Sequence, residues 1–105
     1  MEILHFDIAA PVPAGGTRAM ALVGVVASGN LEVLVERGAA ADRCAIEIST
    51  AAHGFRDLWD AVVADFDGRR AAGGLRIAIN DGGARPDTVS LRLAQAVRMI
   101  EEPEA

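Results

Sequence analysis

The sequence predicts an α+β domain, two helices on one face of a mostly antiparallel sheet, in the element order ββββαβα. Changes of hydrophobic period carry that prediction. Up to Thr50 the apolar residues recur at every second position, as in half-buried strands; after Gly54 they recur at three and four, as along one side of a helix. The alternation returns once, at Leu75, Ile77 and Ile79, before a second helical stripe. With 105 residues, half of them hydrophobic, residues 1–105 form one domain large enough to bury its own core.

The first strand is Glu2 to Ala9, with Leu4, Phe6 and Ile8 opposed to Ile3, His5 and Asp7. Pro11-Val-Pro-Ala-Gly-Gly16 breaks it and reads as a loop. From Leu22 to Val35 two Val- and Leu-rich runs flank Ser28-Gly29-Asn30-Leu31. A two-residue Gly29-Asn30 connection between such runs reads as a tight hairpin, Gly29 supplying the positive φ that a type II′ turn takes first. In that register Ser28 pairs with Leu31, Val26 with Val33 and Gly24 with Val35, which sets the Ser28 hydroxyl at the tip of a stiff ribbon. Arg37 to Asp42 closes the hairpin's second strand, and from Arg43 the residues Cys44, Ile46 and Ile48 form a fourth strand. The simplest pairing of four strands with short connections is an antiparallel meander.

Phe55, Leu58, Trp59, Val62, Val63 and Phe66 then make the apolar stripe of the first helix, with Asp57 near its start and Arg69-Arg70 near its end, as the helix dipole prefers. After the Leu75 to Ile79 strand, Asp81-Gly-Gly-Ala-Arg-Pro86 turns the chain. Pro86 and Asp87 suit the opening turn of a second helix with Val89, Leu93, Val97 and Ile100 as its buried stripe. Residues 101–105 read as a frayed acidic tail.

Charge and composition narrow the function. A net charge of −5, without a basic cluster beyond Arg69-Arg70, does not suit a nucleic-acid partner. The longest apolar run, Ala19 to Ala27, is too short to span a bilayer, and Glu2, His5 and Asp7 do not fit a signal peptide, so the expected setting is the cytoplasm and not a membrane. The single Cys44, in the inward register of its strand, reads as a buried, inert thiol. His5 and His53 begin no metal-ligand spacing. Asp57, Asp60, Asp65 and Asp67 read as a solvated helix face. Asn80-Asp81-Gly82-Gly83 is a turn first, and a phosphate contact at a helix N-terminus second. No nucleophile, base and oxyanion hole assemble. Taken alone, Ser28 is an ordinary turn former.

Three segments together resemble the acyl carrier (delta) subunits of malonate decarboxylase, relatives of the citrate lyase acyl carrier (gamma) subunit. They are ALVGVVASGNLEVLVE from Ala21 to Glu36, the aromatic stripe from Gly54 to Phe66, and INDGGARPDTVSLRLAQA from Ile79 to Ala96 with its Leu-Arg-Leu. The resemblance implies a non-catalytic carrier. Ser28 would be joined by a phosphodiester to 2′-(5″-phosphoribosyl)-3′-dephospho-CoA, whose thiol carries acetyl and malonyl as thioesters. It implies Gly29 and Asn30 as the rest of the attachment turn and Asp81 as a weaker contact. The implied partners are the acyl-transferase and decarboxylase subunits, a prosthetic-group transferase and a malonyl transferase. The chain departs from the family pattern at Asn30, where Asp is frequent, and at Gly82, where a bulkier residue is expected. The other readings are a plain interaction or regulatory domain, in which Ser28 only shapes a turn, and the citrate lyase carrier itself.

Overall fold

The computed structural model describes residues 2–27, 29–69 and 71–102. In chain order the elements are β1 (Glu2–Ala9), β2 (Met20–Gly24), β3 (Leu31–Arg37), β4 (Arg43–Thr50), α1 (Arg56–Arg69), β5 (Leu75–Asp81) and α2 (Pro86–Glu101). The α+β class and the ββββαβα order are those the periods imply.

The meander is not what forms. The five strands lie in the order β1-β4-β5-β3-β2. β1 pairs with β4, β5 sits at the centre, and β4 and β5 run parallel, joined across the sheet by α1. A parallel pair needs a long crossover, which α1 supplies. The segment from Ala10 to Ala19 is no hairpin turn, because it carries the chain from one edge strand to the other across the end of the sheet. Hydrogen bonds from Ala14 N–H to the Gly73 carbonyl (3.0 Å) and from Gly73 N–H to the Val12 carbonyl (3.0 Å) hold it there. The Arg37 guanidinium adds bonds to the carbonyls of Arg18, Gly15 and Ile100.

One face of the sheet takes both helices. Leu4, Ile48, Ile79 and Val33 share a row across four strands and are all buried. α2 packs over β3 and β2 with Val89, Leu93, Ala96, Val97 and Ile100 inward, and α1 lies beside it with Trp59, Val62, Val63 and Phe66 inward. The α1 stripe is shorter than its period suggests. Phe55 and Leu58 are 50% and 42% exposed: Phe55 precedes the helix, and both line an open cavity together with Thr50 and Asp81. The aspartates of α1 are on its outer side, Asp60 and Asp65 pairing with Arg56 and Arg69 one turn away. At the chain's end, Glu101 is still helical and Glu102 reaches Arg18 at 3.9 Å; the rest of the expected tail lies outside the described residues.

Cys44 is fully buried, and burial, reinforced by the charges of Asp67 and Asp7, pushes its thiol up from 9.0 to about 12. The ten basic residues are all arginines and the chain has no tyrosine, so lysine and tyrosine, the other side chains whose ordinary range lies between pH 9 and 12, are absent. In that window the unfolded chain loses the thiol proton and the folded chain keeps it, so stability falls as pH rises. Unfolding free energy is expected to be level just below pH 9 and to drop by up to about 4 kcal/mol towards pH 12. Urea titrations of wild type and Cys44→Ala check this, since the variant should show no slope there.

Candidate functional site

The site forms where β2 gives way to β3. Residues pair as Val23 with Val33 and Gly24 with Glu32, a register three residues from the expected Gly24 with Val35; β2 ends at Gly24, four positions short of the tight hairpin, and a loop follows before Leu31. Gly24 causes the change of register. It has φ 86°, and a Cβ there would run into the Leu31 carbonyl oxygen, so the strand kinks outward where a side chain would forbid it. Val25 N–H still bonds the Leu31 carbonyl (3.1 Å), then Val25 and Val26 turn to solvent.

Asn30 N–H donates to the Ala27 carbonyl (3.0 Å), closing a four-residue turn with Gly29 third. Gly29 has the positive φ expected of it, 74°, in the place where a type II turn takes it, one position later than in a type II′ turn. The Asn30 side-chain Oδ1 accepts from Leu31 N–H at 2.8 Å and fixes the return into β3. Ser28, the residue singled out by the sequence, lies outside the described residues. Its chain neighbours on both sides do not.

The loop is clamped to the turn that follows β5. Gly29 N–H donates to the Gly82 carbonyl (3.0 Å), and Gly82 N–H donates to the Asn30 carbonyl (2.8 Å). A Cβ on Gly82 would run into the Ala27 carbonyl oxygen, so a glycine at this position is what admits the loop. Asp81 prepares the clamp from below. It is 6% exposed, its Oδ1 accepts from Ala84 N–H (2.8 Å) and its Oδ2 from the Thr50 hydroxyl (2.9 Å), while Leu31 is its partner on β3. The carboxylate thus folds the Gly82-Gly83 turn, and the turn holds Gly29 and Asn30.

Two features here were not picked out as site residues in the sequence. Arg92 of α2 runs its side chain beneath Gly24, its Cδ 3.6 Å from where a Cβ on that glycine would lie. One terminal nitrogen bonds Gln95 (3.0 Å), but Nε is buried without a hydrogen-bond partner. The Leu-Arg-Leu of α2 was the available signal. The second feature is a cavity of about 250 Å³ walled by Phe55, Leu58, Trp59, Val62, Pro86 and Val89, with Thr50 and Asp81 supplying polar atoms. Gly83, next in the chain to the clamp, also lines it.

The remaining candidates stand apart. Cys44 faces Ile8 at the far end of the sheet from Asp81, and His5 and His53 are exposed. Among the described residues no group of three or more His, Cys, Asp and Glu is placed to hold a metal ion.

Residues 18–100 match the family model of the malonate decarboxylase delta subunit (MdcD). The chain is 61% identical over 102 residues to a malonate decarboxylase acyl carrier protein of Bradyrhizobium diazoefficiens, covering 97% of each. With the one from Burkholderia cepacia it shares 52% over 100 residues, 95% of this chain and 91% of that one. Among solved structures it resembles a chain of a Pseudomonas malonate decarboxylase hetero-tetramer in complex with malonate. The TM-score is 0.84 at 37% identity, over 95% of this chain and 99% of that one. Sequence and fold agree along nearly the whole length, and the chain belongs to the malonate decarboxylase delta subunit family of acyl carrier proteins.

Proposed function

We propose that this protein is the non-catalytic acyl carrier of a malonate decarboxylase, with 2′-(5″-phosphoribosyl)-3′-dephospho-CoA attached to Ser28 through a phosphodiester. When bound, that group supplies a thiol on which acetyl and malonyl travel as thioesters. The observation that carries the reading is the clamp. Gly29 and Asn30 are held to Gly82 by backbone bonds, so this hold does not depend on what a side chain of the loop carries.

The residues present fit the group. A phosphodiester is an anion, and the orphaned Arg92 Nε–H beside Gly24, at the root of the loop, is a donor of the kind a phosphate oxygen satisfies. Asn30 spends its side-chain oxygen on Leu31, where an aspartate would add a negative charge beside the phosphate. Asp81 acts through the turn it folds, both of its oxygens being engaged inside the protein.

The partners that follow are the acyl-transferase and decarboxylase subunits, a malonyl transferase, and a prosthetic-group transferase able to seize a loop on a β-hairpin. The proposed setting is the cytoplasm, in keeping with a lone buried thiol; among the described residues no helix is long and apolar enough to cross a membrane. Co-expression with the prosthetic-group transferase and intact mass spectrometry tests the proposal. One added phosphoribosyl-dephospho-CoA per chain is the expected result, and an unmodified mass under conditions that modify a known carrier would leave only a plain interaction domain.

A further inference from the structure

We propose that the cavity between α1 and the β5–α2 turn shelters the acetyl-bearing end of the protein's own prosthetic arm and refuses the malonyl-bearing end. The inference rests on the carrier reading and adds to it a resting place for one of the two loaded forms.

Position comes first. Gly29, next in sequence to the attachment serine, is hydrogen-bonded to Gly82, and Gly83 lines the cavity, so the root of the arm and the cavity share one turn. Size comes next. At about 250 Å³ the cavity is smaller than pockets that enclose whole ligands, roughly 300 Å³ and upward, and takes the end of an arm but not its nucleotide. The walls are apolar, and two of them, Phe55 and Leu58, are exposed aromatic and aliphatic side chains with no core role. An acetyl thioester, uncharged and nearly apolar, gains by covering them.

A malonyl thioester ends in a carboxylate. Among the described residues that line the cavity there is no arginine or histidine, and the one charged residue, Asp81, is itself an acid. Burying a carboxylate there would leave it unpaired beside a like charge, which desolvation and repulsion both oppose. The two loaded forms therefore differ in where the arm rests: the acetyl end is withdrawn from water, and the malonyl end stays outside.

Trp59 is the single tryptophan and forms part of the wall, so it reports on the cavity directly. Unloaded, acetyl-loaded and malonyl-loaded proteins, each verified by intact mass, are compared by acrylamide quenching of Trp59 fluorescence. The quenching constant should fall on acetyl loading and should return to the unloaded value with malonyl. Leu58→Glu should abolish the acetyl effect without changing the mass gained on loading. Phe55→Glu, outside the helix, gives the same readout should the first variant not fold. Equal quenching in unloaded and acetyl-loaded protein of verified mass overturns the shelter and leaves the carrier reading intact. Equal protection by acetyl and malonyl overturns the discrimination. A mass without the arm defeats the carrier reading and the shelter together.

Discussion

Ser28→Ala is expected to melt at the wild-type temperature and to accept no acyl group at all. Among the described residues the loop is held by backbone bonds of Val25, Gly29, Asn30 and Gly82 and by the Asn30 side chain on Leu31 N–H, and the substitution alters none of these residues and none of the buried core. What disappears is the oxygen on which a phosphodiester would be built. The thiol chemistry of the chain makes the result easy to read. Cys44 is buried with its thiol held protonated, so it should react slowly with a disulfide reagent, whereas a thiol on a flexible arm reacts at once. Modified, deacylated wild type should show one fast thiol per chain, and Ser28→Ala treated alike should show none. A variant that still loads acetyl would move the attachment site elsewhere.

The largest expected loss of stability is at the aromatic residues of α1. Trp59 and Phe66 are each 5% exposed, and replacing either by Ala should cost about 3 to 5 kcal/mol. For a domain of this size that is about a fifth or more of a typical total of about 5 to 15 kcal/mol. Urea unfolding should show a lower midpoint with an unchanged slope. A loss below about 1 kcal/mol would mean that α1 rests on the sheet without depending on these two side chains. Trp59→Ala carries a second consequence that Phe66→Ala does not, since it removes a wall of the cavity beside the clamp.

Much of the fold was legible because strand and helix leave different periods. Leu75, Ile77 and Ile79 alternate, and Val89, Leu93, Val97 and Ile100 recur at helical spacing; all seven are buried as those periods demand. Sheet order was not legible, because alternation says which face is apolar and nothing about which strand is the neighbour. β5 takes the centre only after α1 has carried the chain across. The hairpin register failed for a local reason. Gly29-Asn30 has the look of a two-residue turn, and the carbonyl of Leu31 that meets Gly24 has no trace in the order of residues. Within the site, Ser28 and Asp81 were each reached in the sequence as turn residues and joined there by resemblance; that Asp81 lies under the return of the Gly29-Asn30 loop follows from Leu31 pairing with Asp81, a fact of topology. Arg92 and the cavity emerged only in three dimensions, where a buried donor and an uncovered aromatic side chain can be seen to lack partners.

The place of β5 bears on how the protein is made. Its residues 75–81 leave the ribosome after β4 and β3, yet they lie between those two strands. Until β5 arrives, β4 and β3 each present an open edge, and the β2–β3 loop has no Gly82 to close on. The sheet is therefore completed in one late step across long sequence separations, the kind of contact that forms slowly. A transferase that recognises the clamped loop would modify finished chains and pass over nascent or truncated ones, so a single late strand doubles as a proof of completeness.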